Sequence, residues 1–168
     1  MVAEIESEYQ HRLSDPEDIQ IIRTAVEAAK IALTTNQTAQ MSVPLHSLTA
    51  AHGRPVLYQR EISREEFNKV NAELFAKVLE PIKAVLEHTE LTVEDIDEVV
   101  MVGGSTRVPR VRQLVSKYFN NKVLNTGVDP DLAVVTGDAV QAGIIGGMWP
   151  LTVSAVEVQT SVKKIHVT

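Results

Sequence analysis

A chain of 168 residues is long enough for one domain with a real core or for two small subdomains. Its 44% hydrophobic and 23% charged content is ordinary for a globular protein, and with only 4% aromatics the core must be mostly aliphatic. A net charge of −6 argues against nucleic acid or an anionic membrane as the main partner, because either favours a basic face.

No cysteine is present, which excludes disulfides and thiolate metal sites, and His11, His46, His52, His88 and His166 lack ligand spacing. No stretch approaches the roughly 20 apolar residues of a membrane span. Met1 is followed by Glu4, Glu6 and Glu8, the opposite of a signal or transit peptide.

Residues 1–13 are polar and are expected to be frayed or loosely docked. Asp15 and Pro16 open a helix: Asp can cap, Pro suits the first turn, and Glu17 and Asp18 suit the positive end of the dipole. Ile19, Ile22, Val26, Ala29 and Leu33 follow at helical spacing and mark its buried stripe. Arg23, Glu27, Lys30 and Thr34 form a polar stripe on the same helix. By spacing alone this is a solvated face laced by pairs three and four residues apart.

Ala39, Met41, Val43 and Leu45 alternate with polar residues as a half-buried strand does, 46–55 reads as a loop, and Val56–Ile62 is a second strand. Ser63-Arg64-Glu65-Glu66 matches a capping box and begins a long helix with Phe67, Val70, Leu74, Val78, Ile82 and Val85 on its core face. Pro81 should kink or divide that helix. A short helical turn is expected over Thr92–Ile96, then a strand over 98–102.

That strand runs into Gly103-Gly104, then Ser105, Thr106, Arg107, Val108 and Pro109, and a helix over Val108–Phe119. Arg107, Arg110 and Arg112 are the one local cluster of positive charge. Asp129-Pro130 starts a further helix that Gly146-Gly147 ends, and Leu151–Val158 is strand-like.

The strand–Gly-Gly–helix unit is the sharpest feature. Glycines let a backbone pass close to a flat ligand, and a helix N-terminus presents unpaired N–H groups. The pattern is neither G-x-G-x-x-G nor the phosphate loop, since no lysine follows the glycines. On these residues alone, a nucleotide or phosphate site and a tight structural turn both stand.

VVMVGGSTRVPRVRQ resembles, position by position, a signature of the heat shock protein 70 chaperone family, spanning the last sheet strand and following helix of the ATPase domain's second lobe. IRTAVEAAKIALT is similar to that family's adenosine-contacting helix, ISREEFNKVNAELFAKVLEPI to the long helices after it, and VDPDLAVVTGDAVQAGI to the final helix. The resemblance covers roughly residues 17–158. From Val128 to Val158 it is closer still to a microsomal branch that stops after the ATPase domain and carries no peptide-binding domain.

The resemblance implies an α/β fold, the second lobe of an actin-like (ribonuclease H-like) ATPase present as a partial domain. A helix-plus-hairpin cap (15–90) and a strand-and-helix base (91–158) lie between a polar segment (1–14) and a tail (159–168). It implies ATP or ADP as ligand. Gly103, Gly104 and Ser105 form the backbone bed, Arg107 lies against the adenine, and Asp131 completes the rim. Glu27 and Lys30 reach the ribose hydroxyls, with Thr34 near the base. The polar stripe thereby becomes a ligand face, whereas the simpler role for Arg107 is a surface charge at a helix start.

Ile31 stands where many family members have a second arginine against adenine, a loss of about 0.5–2 kcal/mol of cation–π attraction. The glycine-rich hairpins that hold phosphate and Mg²⁺ have no counterpart: the sequence holds no DLGTT-like or DLGGGT-like string. Mg²⁺ is therefore expected only in a complete domain, and the chain alone is expected to be inactive as an ATPase. The rival function is a non-catalytic module that binds exchange-factor or co-chaperone partners through the cap, and a third is an incomplete product without activity. The resemblance points to the endoplasmic reticulum or microsome, the acidic start to the cytoplasm. Asn36-Gln37-Thr38 is a glycosylation sequon, of interest if the protein enters the secretory lumen.

Overall fold

The computed structural model describes residues 1–49 and 54–147. The chain divides into two compact units, Met1–Asn71 and Ala72–Thr168.

The first unit opens with α1 (Val2–Tyr9), so of the two expected states, frayed or loosely docked, the segment is docked, and as a helix. Val2, Ile5 and Tyr9 lie at helical spacing, so the helix has an apolar line despite its glutamates. Ile5 is 0% exposed, and Tyr9 meets Tyr58 edge to face at 6.5 Å. Arg60 holds this helix from the hairpin by pairing with Glu4, and it also pairs with Glu66.

Helix α2 (Pro16–Ala32) starts as its sequence predicts: Asp15 Oδ1 accepts the Glu17 N–H at 2.8 Å, and Pro16 occupies the first turn. Its buried line differs from the expected stripe. Ile22, Ala29 and Leu33 are buried, but Val26 is 38% exposed and Asp18 is 0% exposed. The line runs 18, 22, 25, 29, 33, a slight rotation of the predicted face that puts a carboxylate inside.

Asp18 is held there by the hairpin. Its Oδ1 accepts the His46 N–H at 2.7 Å, and its Oδ2 accepts the Ser47 N–H at 2.9 Å and the Ser47 hydroxyl. Burial pushes the carboxyl up, but the bonds from Ser47 and His46 outweigh that and hold it below its ordinary value.

The hairpin pairs β1 (Thr38–Thr49) with β2 (Pro55–Ser63) antiparallel, from Thr38 opposite Ser63 to Leu45 opposite Val56, with an irregularity before Thr49. The first strand thus runs past Leu45 into the segment expected as loop. Ala39, Met41, Val43 and Leu45 alternate inward against α2, as predicted.

Ser63 caps α3 (Arg64–Val70), its hydroxyl accepting the Glu66 N–H at 3.1 Å. The long helix expected here is interrupted twice. Asn71 Nδ2 donates to the Phe67 carbonyl at 2.8 Å, a local bond that competes with helix continuation. In the second unit, α4 (Ala72–Ala76) then gives way to a 3-10 turn over Lys77–Leu79. Pro81 sits in the first turn of α5 (Glu80–Thr89) and divides the helix as foreseen. Val70 and Leu74, expected on the core face, are 77% and 64% exposed.

The second unit builds its own core from Leu86, Met101, Val115 and Phe119, flanked by Val78, Ile82, Ile96 and Val111. The turn expected over 92–96 is a single one: the Asp95 N–H donates to the Thr92 carbonyl at 3.2 Å, and the Asp95 carboxylate accepts the Thr92 N–H at 2.8 Å and its hydroxyl at 2.6 Å. Strand β3 (Val99–Val100) pairs in parallel with β4 (Leu124–Asn125). The expected strand 98–102 shortens to this because, among the described residues, a two-residue strand is its sole ladder partner. Helix α6 (Pro109–Tyr118) follows the glycines, and α7 (Ala133–Ile145) ends at Gly146 and at Gly147, whose φ is 69°. The start expected for α7 at Asp129-Pro130 is a turn instead. The strand expected at Leu151–Val158 lies outside the described residues.

Candidate functional site

Where β3 ends, Gly103 adopts φ 89° and ψ 145°, a conformation in which a side chain is strained. Its N–H donates to the Pro130 carbonyl at 2.8 Å, and its carbonyl accepts both the Thr106 N–H at 3.0 Å and the Thr106 hydroxyl at 2.7 Å. Gly104–Arg107 then makes one 3-10 turn, with Arg112 Nε donating to the Thr106 carbonyl at 2.7 Å. This loop is pinned at both ends by hydrogen bonds.

The two glycines have different surroundings. A Cβ built on Gly103 would meet nothing within 4 Å, so open space lies over that residue. A Cβ on Gly104 would stand 2.9 Å from Asp131 Oδ1, so a carboxylate already covers it. That carboxylate accepts from Arg107 through Oδ2, at 3.1 Å from Nε and 2.8 Å from Nη2. Arg107 Nη2 also donates to Asp129 Oδ1 at 2.9 Å, and the same oxygen accepts the Asp131 N–H at 2.9 Å.

Gly103, Gly104, Ser105, Arg107 and Asp131 are therefore brought together, with Asp129 as a sixth member that sequence reasoning missed. Its signal was the pair of carboxylates flanking Pro130. Arg107 is neither a bare surface charge nor free of partners: hydrogen bonding and attraction from Asp131, then Asp129, raise its already high pKa.

Glu27, Lys30 and Thr34 lie in the first unit, the first two on α2 and Thr34 in the turn just past its end. Lys30 Nζ pairs with Glu27 Oε2 at 2.7 Å, and the Thr34 hydroxyl donates to the Ile31 carbonyl at 2.7 Å. Ile31 is 59% exposed and borders a shallow depression lined by Gln20, Arg23, Thr24, Glu27 and Ala28. Among the described residues, no helix is long and apolar enough to cross a membrane.

The family profile described as "Hsp70 protein" matches residues 1–161, which makes the fold that of the actin-like ATPases. The chain belongs to the Hsp70 family, and its mixed α/β units are a portion of the Hsp70 ATPase domain. It is 43% identical to heat shock 70 kDa protein 13 of Homo sapiens, over 86% of this chain and 38% of that protein. With the Rattus norvegicus protein of the same name the identity is 44%, over 92% of this chain and 41% of the relative. The chain thus spans about two fifths of the length of the curated relatives it matches. Hsp70 ATPase domains in general bind ATP or ADP with Mg²⁺. The space over Gly103 is open, and the guanidinium and carboxylates beside it are polar.

Proposed function

We propose that this chain is the adenine-nucleotide-binding portion of an Hsp70-type chaperone ATPase that lacks a peptide-binding domain. It assists protein folding under stress in the endoplasmic reticulum or microsome. The observation that carries the reading is the Gly103–Arg107 loop: open space at a positive-φ glycine, beside an arginine whose plane is fixed by two aspartates. In this reading the backbone of Gly103, Gly104 and Ser105 is the bed for adenosine, and the Arg107 guanidinium lies against the base. Two carboxylates partly neutralise that guanidinium, so planar stacking contributes more than net charge. Asp131 serves as rim and as the group that orients Arg107.

Glu27 and Lys30 offer a carboxylate and an ammonium to the ribose hydroxyls, and their mutual pair loosens to do so. Thr34 stands near the base. Residues 15–90 act as a cap and 91–158 as a base, and Mg²⁺ and the phosphates are held in the complete domain. Titration of ADP into wild-type and Arg107→Ala proteins tests this. Binding weakened by at least about tenfold, or 1.4 kcal/mol, supports the site; equal affinity contradicts it.

A second reading is supported by one observation, the separate core of Met1–Asn71. A unit that packs by itself can present the cap to an exchange factor or co-chaperone without nucleotide. Capture of such a partner by an Arg107→Ala protein that no longer binds ADP would favour it.

A further inference from the structure

Asn36-Gln37-Thr38 is the only Asn-X-Ser/Thr triplet in the chain. It lies on the connection from α2 to β1, and all three residues are exposed. The main chain of this connection is held from outside by Arg64. Arg64 donates Nε to the Leu33 carbonyl at 2.8 Å, Nη2 to the Asn36 carbonyl at 2.7 Å and its backbone N–H to the Gln37 carbonyl at 2.8 Å. The triplet is therefore displayed on an anchored segment.

The fold itself makes no demand for asparagine at this position. Asparagine is often selected where φ is positive, as at Asn120 (54°) and Asn121 (60°), but Asn36 is not in that conformation. It does not cap a helix either. Its carboxamide has one marginal contact, Oδ1 with the Thr35 hydroxyl at 3.5 Å, and Nδ2 has no partner among the described residues. Thr38 enters the ladder opposite Ser63 directly after a bend at Gln37, and its hydroxyl has no hydrogen-bond partner among the described residues.

We propose that Asn36 is the acceptor of an N-linked oligosaccharide, a proposal that rests on the luminal placement given above. The donor is an oligosaccharide carried on a polyisoprenyl diphosphate. Asn36 Nδ2 forms a bond to C1 of the reducing-end sugar while the bond from C1 to the diphosphate oxygen breaks. The lipid diphosphate leaves with the electron pair, and one amide proton passes to a base of the transferase. The Thr38 hydroxyl is the second recognition group, which is why the triplet needs Ser or Thr at that position. A bulky, hydrated chain attached here replaces no core contact.

The test expresses the full chain behind a cleavable secretory leader in eukaryotic cells, with leader removal reporting delivery. Enzymatic deglycosylation should lower the apparent mass in one step, and Asn36→Gln and Thr38→Ala should each abolish that step while Thr38→Ser retains it. Asn36→Gln should unfold at the same temperature as the parent, since the side chain supports nothing. A delivered chain with no step, or a step that survives Asn36→Gln, overturns the proposal. Protease protection of the natural gene product in isolated microsomes tests the luminal placement separately. A protected but unglycosylated product overturns the glycan, and an unprotected one overturns the placement while the leader-directed chain still decides Asn36.

Discussion

A side chain at Gly104 must displace the Asp131 carboxylate, whose Oδ1 would lie 2.9 Å from its Cβ. The carboxylate can swing aside only by loosening its hold on Arg107. Gly104→Val should therefore both fill the bed and unpin the guanidinium, lowering ADP affinity by at least about tenfold with the fold intact. Unchanged affinity by isothermal titration would place the ligand elsewhere. Ile31→Arg should act in the opposite sense, adding a cation on the exposed flank of α2. A gain of about 1 kcal/mol, roughly fivefold, is expected in a protein carrying both lobes. No gain there, with Arg107→Ala abolishing binding, would refute the role of α2 but spare the glycine site. Asp18 is a matter of stability. Its folded pKa lies below the ordinary 3.8, so its contribution is full above that value and is lost as pH falls through the folded pKa. Thermal stability should hold between neutrality and pH 5 and drop below pH 4, less steeply in Asp18→Asn. Equal slopes would remove Asp18 from the account. The sequence misleads at both acidic positions for one reason. Asp18 satisfies a local rule about helix starts and Asp129, beside Pro130, reads as another helix start, whereas their partners lie 28 and 22 residues away.

Where local chemistry decides an element, the sequence is legible. The Asp15 cap, the Ser63 capping box, the alternation of Ala39, Met41, Val43 and Leu45, and the Gly146-Gly147 stop all follow from residues adjacent in the chain. Where docking decides, neighbours are not enough. Helix α1 is a short, acidic peptide that would be marginal in water, and it exists because Ile5 and Tyr9 find a core made by later residues. Ile5→Ala should cost about 3 kcal/mol in chemical denaturation, the loss of a fully buried aliphatic side chain. A loss under about 0.5 kcal/mol would mean that α1 is undocked. The break at Asn71 is also hidden, since the apolar spacing through Val70 and Leu74 reads as one helix. Only the side-chain bond to Phe67 shows the helical ladder being contested.

At the scale of the molecule, each unit buries its own core, and the chain carries about two fifths of its relatives' length. Positioning and metal charge dominate phosphoryl transfer, and the phosphate-holding strings of the family are absent from this sequence. Steady-state ATP hydrolysis by the 168-residue chain should therefore stay at background. A rate within about tenfold of a complete family member would overturn the partial-site reading. Binding is a separate question, and a weak ligand is best followed residue by residue. The most direct test is a ¹H–¹⁵N NMR titration of the chain with ADP. The amides of Gly103, Gly104 and Ser105 and the Arg107 side chain should shift together in a saturable way, with Glu27, Lys30 and Thr34 following. Shifts confined to other residues, or none at millimolar ADP, would contradict an adenine site at the Gly103–Arg107 loop.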